Sequence, residues 1–110
     1  MLSKVKEKNM EQLEKFTLYV GLNDKDTKKQ VIKTEDAMKL VSKVVGDNTT
    51  QIVHGHYTHE NGEQVDETTL KVELLFKQES DIRLYCQDLK RLLNQESIAV
   101  NKEISMSALL

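Results

Sequence analysis

Apolar residues fall in short periodic blocks along the chain. In the first clear block, Phe16, Leu18, Val20 and Leu22 alternate with Thr17, Tyr19 and Gly21, which is the period of a half-buried strand. The next block keeps a different beat. Ala37, Leu40, Val41 and Val44 recur at i, i+3, i+4 and i+7, the stripe of an amphipathic helix. Thr34 is a suitable N-cap, Glu35 and Asp36 suit the positive first turn, and Gly46 can take the left-handed position that ends a helix. "TTQIVHGHYTHENGEQVDETTLKVELLF" then holds two arms around Asn61-Gly62, the strongest short signal for a two-residue type I′ hairpin turn. Its second arm alternates through Leu70, Val72, Leu74 and Phe76. Ile82, Tyr85, Leu89 and Leu92 form a second helical stripe, with Ser80 as its expected cap and Asn94 as its stop. Ile98, Val100, Ile104 and Met106 share one parity in a closing strand, interrupted by Lys102.

These patterns predict strands near 16–23, 49–59, 65–77 and 97–107, and helices near 34–45 and 80–94. Residues 1–15 are mostly charged and read as a tail or short helix, leaving 16–110 as one domain. Strand, helix, hairpin, helix, strand is the βαββαβ series of an α+β, ferredoxin-like fold. The expected sheet is antiparallel, in the order 4-1-3-2, with both helices on one face. Leu18, Val20, Leu40, Val44, Val72, Leu74, Ile82 and Leu89 should be nearly fully buried.

The hairpin turn sets an expected register. With Asn61 and Gly62 as the loop, Glu60 faces Glu63, Val53 faces Leu70, His54 faces Thr69 and His56 faces Glu67. Facing residues share a side of the sheet. His54, His56 and Glu67 would then lie together on the open face, beside Tyr19, Gly21, Ile52, Lys71, Glu73 and Leu75. Val53, Gly55 and Tyr57 would point to the helices, and His59 away from the other two histidines.

Composition narrows the function classes. The chain has 110 residues, the size of one modest core. Its 16 basic and 18 acidic residues leave a net charge of −2, so no basic excess points to nucleic acid or an anionic membrane surface. No apolar run approaches a membrane span, and the N-terminus lacks the apolar core of a signal peptide. The single cysteine, Cys86, fits a reducing compartment, and a cytoplasmic location is expected. Cys86 sits inside the second helix and reads as a small buried hydrophobe rather than a nucleophile. The glycines are scattered, so no phosphate loop is predicted. No Ser-His-Asp arrangement can be placed, and His54 and Asp66 would point to opposite faces, which argues against pairing them in a triad. His54, His56 and Glu67 could in principle ligate a divalent metal through two nitrogens and an oxygen. The apolar pattern nevertheless accounts for folding without a metal, and no cofactor is expected. Asn23 and Asp24 end the first strand, where they either form a turn or face a ligand.

Several stretches carry a resemblance. "FTLYVGLNDKDTK", "GHYTHENG", "LKVELLF" and "LNQESIAV" resemble a family of small uncharacterised proteins of Gram-positive bacteria and their mobile elements, over about residues 16 to 110. The resemblance implies no activity. The order of elements also resembles the nitrogen-regulatory PII proteins and related trimers, though the tight hairpin here replaces their long nucleotide-binding loop.

The leading expectation is a non-enzymatic binding or regulatory module that self-associates, as a dimer or trimer, through its semi-apolar open face. Tyr19, Asn23, His54, His56, Tyr57 and Glu67 are its candidate residues for a small ligand. The alternatives are a small enzyme using His54, His56, Tyr57 or Glu67 as acid-base groups, and a divalent-metal protein at His54, His56 and Glu67.

Overall fold

Alternation and helical stripes become six elements in the computed structural model, which describes residues 10–58 and 60–110. They are β1 (Glu11–Gly21), α1 (Thr34–Val45), β2 (Thr49–Thr58), β3 (Gln64–Leu74), α2 (Glu79–Leu92) and β4 (Ala99–Ser107). All strand pairs are antiparallel and the sheet order is β2-β3-β1-β4, the expected α+β ferredoxin-like arrangement. The expected position of His59 lies outside the described residues.

The core forms where the two central strands meet both helices. Phe16, Leu18 and Val20 of β1 and Leu70, Val72 and Leu74 of β3 share one face of the sheet, against Ala37, Val41 and Val45 of α1 and Ile82 and Leu89 of α2. Leu40 and Val44, expected in the core, are only partly buried on its flank. The buried line of α1 runs 37, 41, 45, so these two sit at the border of its stripe rather than its centre.

The helix ends follow local chemistry. Thr34 is the first helical residue of α1 and Lys33 holds the cap position without a side-chain hydrogen bond, so Thr34 is not the cap. At α2 the cap is Gln78, not Ser80. Gln78 and Asp81 form a reciprocal capping box in which Asp81 Oδ2 accepts the Gln78 N–H at 3.1 Å. Asn94 does stop α2: it takes a left-handed φ of 48°, and the Gln95 N–H donates to the Lys90 carbonyl at 2.9 Å in a Schellman turn.

Two expectations about strands change. Residues 11–15, read as tail or short helix, belong to β1 and pair with Glu103–Ser107 of β4. The hairpin register is shifted by one residue. His54 faces Thr68, Gly55 faces Glu67, His56 faces Asp66 and Tyr57 faces Val65. The cause is the turn. Thr58 pairs with Gln64, which leaves an odd number of residues between them. Gly62 alone of the Asn61-Gly62 pair has positive φ, at 84°, whereas a type I′ turn needs both. An odd loop reverses the parity of one arm, and every β2 side chain changes face.

Among the described residues no helix is long and apolar enough to cross a membrane.

Candidate functional site

The shifted register redistributes the candidate residues. His54 and His56 lie on the helix side of β2, in a row with Thr50 and Ile52. They stay exposed because β2 is an edge strand and the helices cover β1 and β3. Asp66, not Glu67, is their partner. His56 Nδ1 contacts Asp66 Oδ1, and His54 Nε2 stands 3.8 Å from the same oxygen. The His56 hydrogen bond holds the Asp66 carboxyl below its ordinary value. Glu67 is on the opposite face, so the expected set of His54, His56 and Glu67 is not assembled. Among the described residues no group of three or more His, Cys, Asp or Glu is placed to hold a metal ion.

On the open face, a cleft of about 350 Å³ forms at the end of the sheet near the hairpin tip. Three of the six candidate ligand residues, Asn23, Tyr57 and Glu67, line it. Tyr19 is on the same face, paired with Lys71 and Ala99, but does not line the cleft. Two glycines make the arrangement possible. A Cβ on Gly21 would collide with the Glu67 carboxylate, and one on Gly55 would collide with the Tyr57 ring. The carboxylate and the ring therefore lie against bare backbone, where a larger residue would push them away. The backbone N–H of Asn23 donates to Glu67 Oε2 at 2.9 Å, and Asn23 Nδ2 donates to the Asp66 carbonyl at 3.2 Å. One carboxylate is thus oriented at the cleft, partly buried, beside a half-exposed aromatic ring.

The wall opposite is built from the loop after β1 and the turn after α2. Asp24 Oδ2 accepts the N–H groups of Asp26 and Thr27 at 2.9 and 3.0 Å, and Asp24 Oδ1 accepts Asn94 Nδ2 at 2.8 Å. The Asn94 bond is the main cause holding the Asp24 carboxyl below its ordinary value, with the two backbone bonds behind it. Gln95 Nε2 donates to the Asn23 carbonyl at 2.8 Å. Asp24 is therefore committed to structure. Lys25 and Lys28 of the same loop also line the cleft, and Lys28 takes a left-handed φ of 63°, a conformation that stores strain in a non-glycine residue. The acidic lining residues Asp24, Glu63, Glu67 and Glu96 outnumber these two lysines. Such a cleft favours a ligand with net positive charge.

The sequence reading missed the contribution of Gln95 and Asn94. Asn94 carried a signal, as the left-handed stop of a helix, but nothing local tied it to Asp24, seventy positions away. Cys86 is half-buried within α2 and burial raises its thiol pKa, in keeping with an inert side chain.

The fold is shared with proteins of known structure. No protein family matches the chain, and no curated protein does. Solved structures do, among them two of a phage SAM lyase. A phage SAM lyase in complex with S-methyl-5′-thioadenosine superposes with a TM-score of 0.69 at 20% identity, over 89% of this chain and 85% of that one. A phage SAM lyase in the apo state superposes with a TM-score of 0.66 at 22% identity, over 84% and 81%. At these identities the likeness is one of fold.

Proposed function

We propose that this chain is a small enzyme that cleaves S-adenosylmethionine and releases S-methyl-5′-thioadenosine, in the cleft that Glu67, Tyr57 and Asn23 line. The reading departs from the non-enzymatic module expected from the sequence. The observation that carries it is the Glu67 carboxylate laid over Gly21 and fixed by the Asn23 N–H, beside the Tyr57 ring, on a fold shared with a phage SAM lyase. The substrate suits these groups. Its sulfonium and ammonium are cations, matched by Glu67 and by the acidic excess of the lining, and a cation is also attracted to an aromatic face. Lys25 or Lys28 is available to the substrate carboxylate. The cleft lies within the range of small-molecule sites.

The chemistry asks little of the protein. The carbon–sulfur bond breaks and its electron pair goes to sulfur, which becomes the neutral thioether. A lyase adds no water, so the amino-acid fragment supplies the replacing pair itself. Its carboxylate closes a ring, or a C–H bond yields the pair as its proton leaves. In this reading Glu67 orients the cation in either case and takes the proton in the second. Tyr57 lines the cleft with its ring and offers the substrate an apolar face there.

The test is direct. Purified protein incubated with S-adenosylmethionine should accumulate S-methyl-5′-thioadenosine, read by chromatography. Glu67→Gln should lower kcat/KM by roughly 10- to 100-fold, the value of one hydrogen bond to a charged group at about 1.5–3 kcal/mol. Gly21→Ala, which displaces the carboxylate without touching the core, should lower it similarly. No product above the uncatalysed background would sink the proposal. Calorimetric binding without product would return the chain to the class of binding modules.

A further inference from the structure

At the cleft, β1 runs out of partners in the sheet. The Leu22 N–H still donates to the Thr68 carbonyl, at 3.0 Å. Asn23 is the next residue, partly buried, and its backbone groups must be satisfied in another way. Two side chains from separate elements do this. Glu67 of β3 accepts the Asn23 N–H at 2.9 Å, and Gln95, beyond α2, donates Nε2–H to the Asn23 carbonyl at 2.8 Å. The peptide that follows is fixed at its other end, since the Asp24 N–H donates to the Lys29 carbonyl at 2.8 Å.

Gln95 is itself firmly held. The left-handed turn at Asn94 reverses the chain, and the Gln95 N–H returns to the Lys90 carbonyl. The residue is only 8% exposed. Its Nε2 also donates to the Leu93 carbonyl, at 3.2 Å. Both partners are carbonyls, so this end of the amide is the nitrogen, and both of its hydrogens are used. Although Gln95 lines the cleft, its Nε2 has no donor left for a ligand. The donors serve the backbone instead.

We propose that Gln95 is a positioning residue for Glu67: it fixes Asn23 through the carbonyl, and Asn23 fixes the carboxylate through its N–H. The proposal rests on the reading of Glu67 as the group that meets the substrate cation, and adds that the end of α2 decides where this carboxylate stands. A hydrogen bond is only as well placed as its donor, and a catalytic group must be held by neighbours that are themselves locked. The loop beyond Asn23 is exposed from Lys25 to Gln30 and gives little support of its own. The bond from Asn23 Nδ2 to the Asp66 carbonyl, at 3.2 Å, ties the side chain and not the peptide. Without the Gln95 donor, the Asn23 carbonyl turns toward water and Glu67 loses a fixed partner.

Gln95→Met keeps the length of the side chain and removes both donors. Nuclear magnetic resonance of the full chain reads the coupling directly. In wild-type protein the Asn23 amide proton should shift with pH as Glu67 ionises. Glu67→Gln should abolish that shift, which separates it from the other cleft carboxylates, Asp24, Glu63 and Glu96. In Gln95→Met the shift should shrink by about half or more, because a hydrogen bond weakens steeply as its geometry opens. The amides of Leu18, Leu70 and Val72 in the core should stay in place. With S-adenosylmethionine, kcat/KM of this variant should fall roughly 2- to 10-fold, the value of one neutral hydrogen bond. A Gln95→Met protein that is less stable but whose Asn23 amide titrates as in wild type would overturn the proposal. So would a wild-type amide that does not follow Glu67. If wild-type protein forms no S-methyl-5′-thioadenosine, the proposed reaction falls, and the amide titration still decides whether Gln95 positions Glu67. Should Gln95→Met fail to fold, wild-type protein suffices: a scalar coupling across the hydrogen bond, from Gln95 Nε2 to the Asn23 carbonyl carbon, should be present, and its absence overturns the proposal.

Discussion

Asp24 shows how a single polar side chain in a charged stretch can shape a site. Among Asp24, Lys25, Asp26, Lys28 and Lys29, it alone is nearly buried, and its two oxygens accept three hydrogen bonds. Sequence spacing marked it as a turn residue, which is correct, but gave no reason to separate it from its solvated neighbours. Its carboxyl is held below the ordinary value, so the charged form is favoured by folding. Its stability contribution is therefore present above the unfolded carboxylate range, near about pH 4, and lost as pH falls through the lower folded value. Asp24→Asn should reduce stability at pH 7 and flatten the fall between pH 5 and 2, measured by urea midpoints across that range. An unchanged acid slope would place the stabilising charge elsewhere. Glu67 was legible for a different reason from the one that matters. The sequence marks it as the carboxylate expected to face His56, whereas its place depends on Gly21 and Asn23.

At the level of elements, the hairpin separates what pattern can reveal from what it cannot. Alternation identified both arms and Asn61-Gly62 located the turn. The face of β2 depended on whether the loop held an even or an odd number of residues, and the same dipeptide serves both geometries. β2 could not correct the choice itself. It is an edge strand with His54, His56, Ile52, Val53 and Tyr57 spread over both faces, so no row of apolar residues demands the core. β1 and β3 were unambiguous because each carries an unbroken alternating row on one side, Phe16, Leu18 and Val20 in the one and Leu70, Val72 and Leu74 in the other. Gly62 is the residue that holds the odd loop. Gly62→Ala forces a Cβ into a left-handed backbone at φ 84° and should cost about 1–2 kcal/mol in the urea midpoint. No loss would mean that the loop can re-form with another residue in that conformation.

For the whole molecule, element order and sheet topology followed from the apolar pattern, since each helix and each central strand has one face to bury. The ribbon at residues 11–15 did not, because Leu13 is its single apolar residue and its helix side carries Gln12 and Glu14. The same apolar core should fold without a metal. Melting midpoints with and without excess chelator should agree, and His54→Ala with His56→Ala should leave them unchanged. A fall with chelator that zinc reverses would make the two histidines a folding site. The wall of the cleft carries one more consequence, about time. It closes only when Asn94 reaches Asp24 and Gln95 reaches Asn23, partners separated by 70 and 72 positions. Contacts so distant form late, because a long stretch of chain must first be ordered. During synthesis the wall of the cleft is therefore absent until α2 and the turn at Asn94 and Gln95 have emerged.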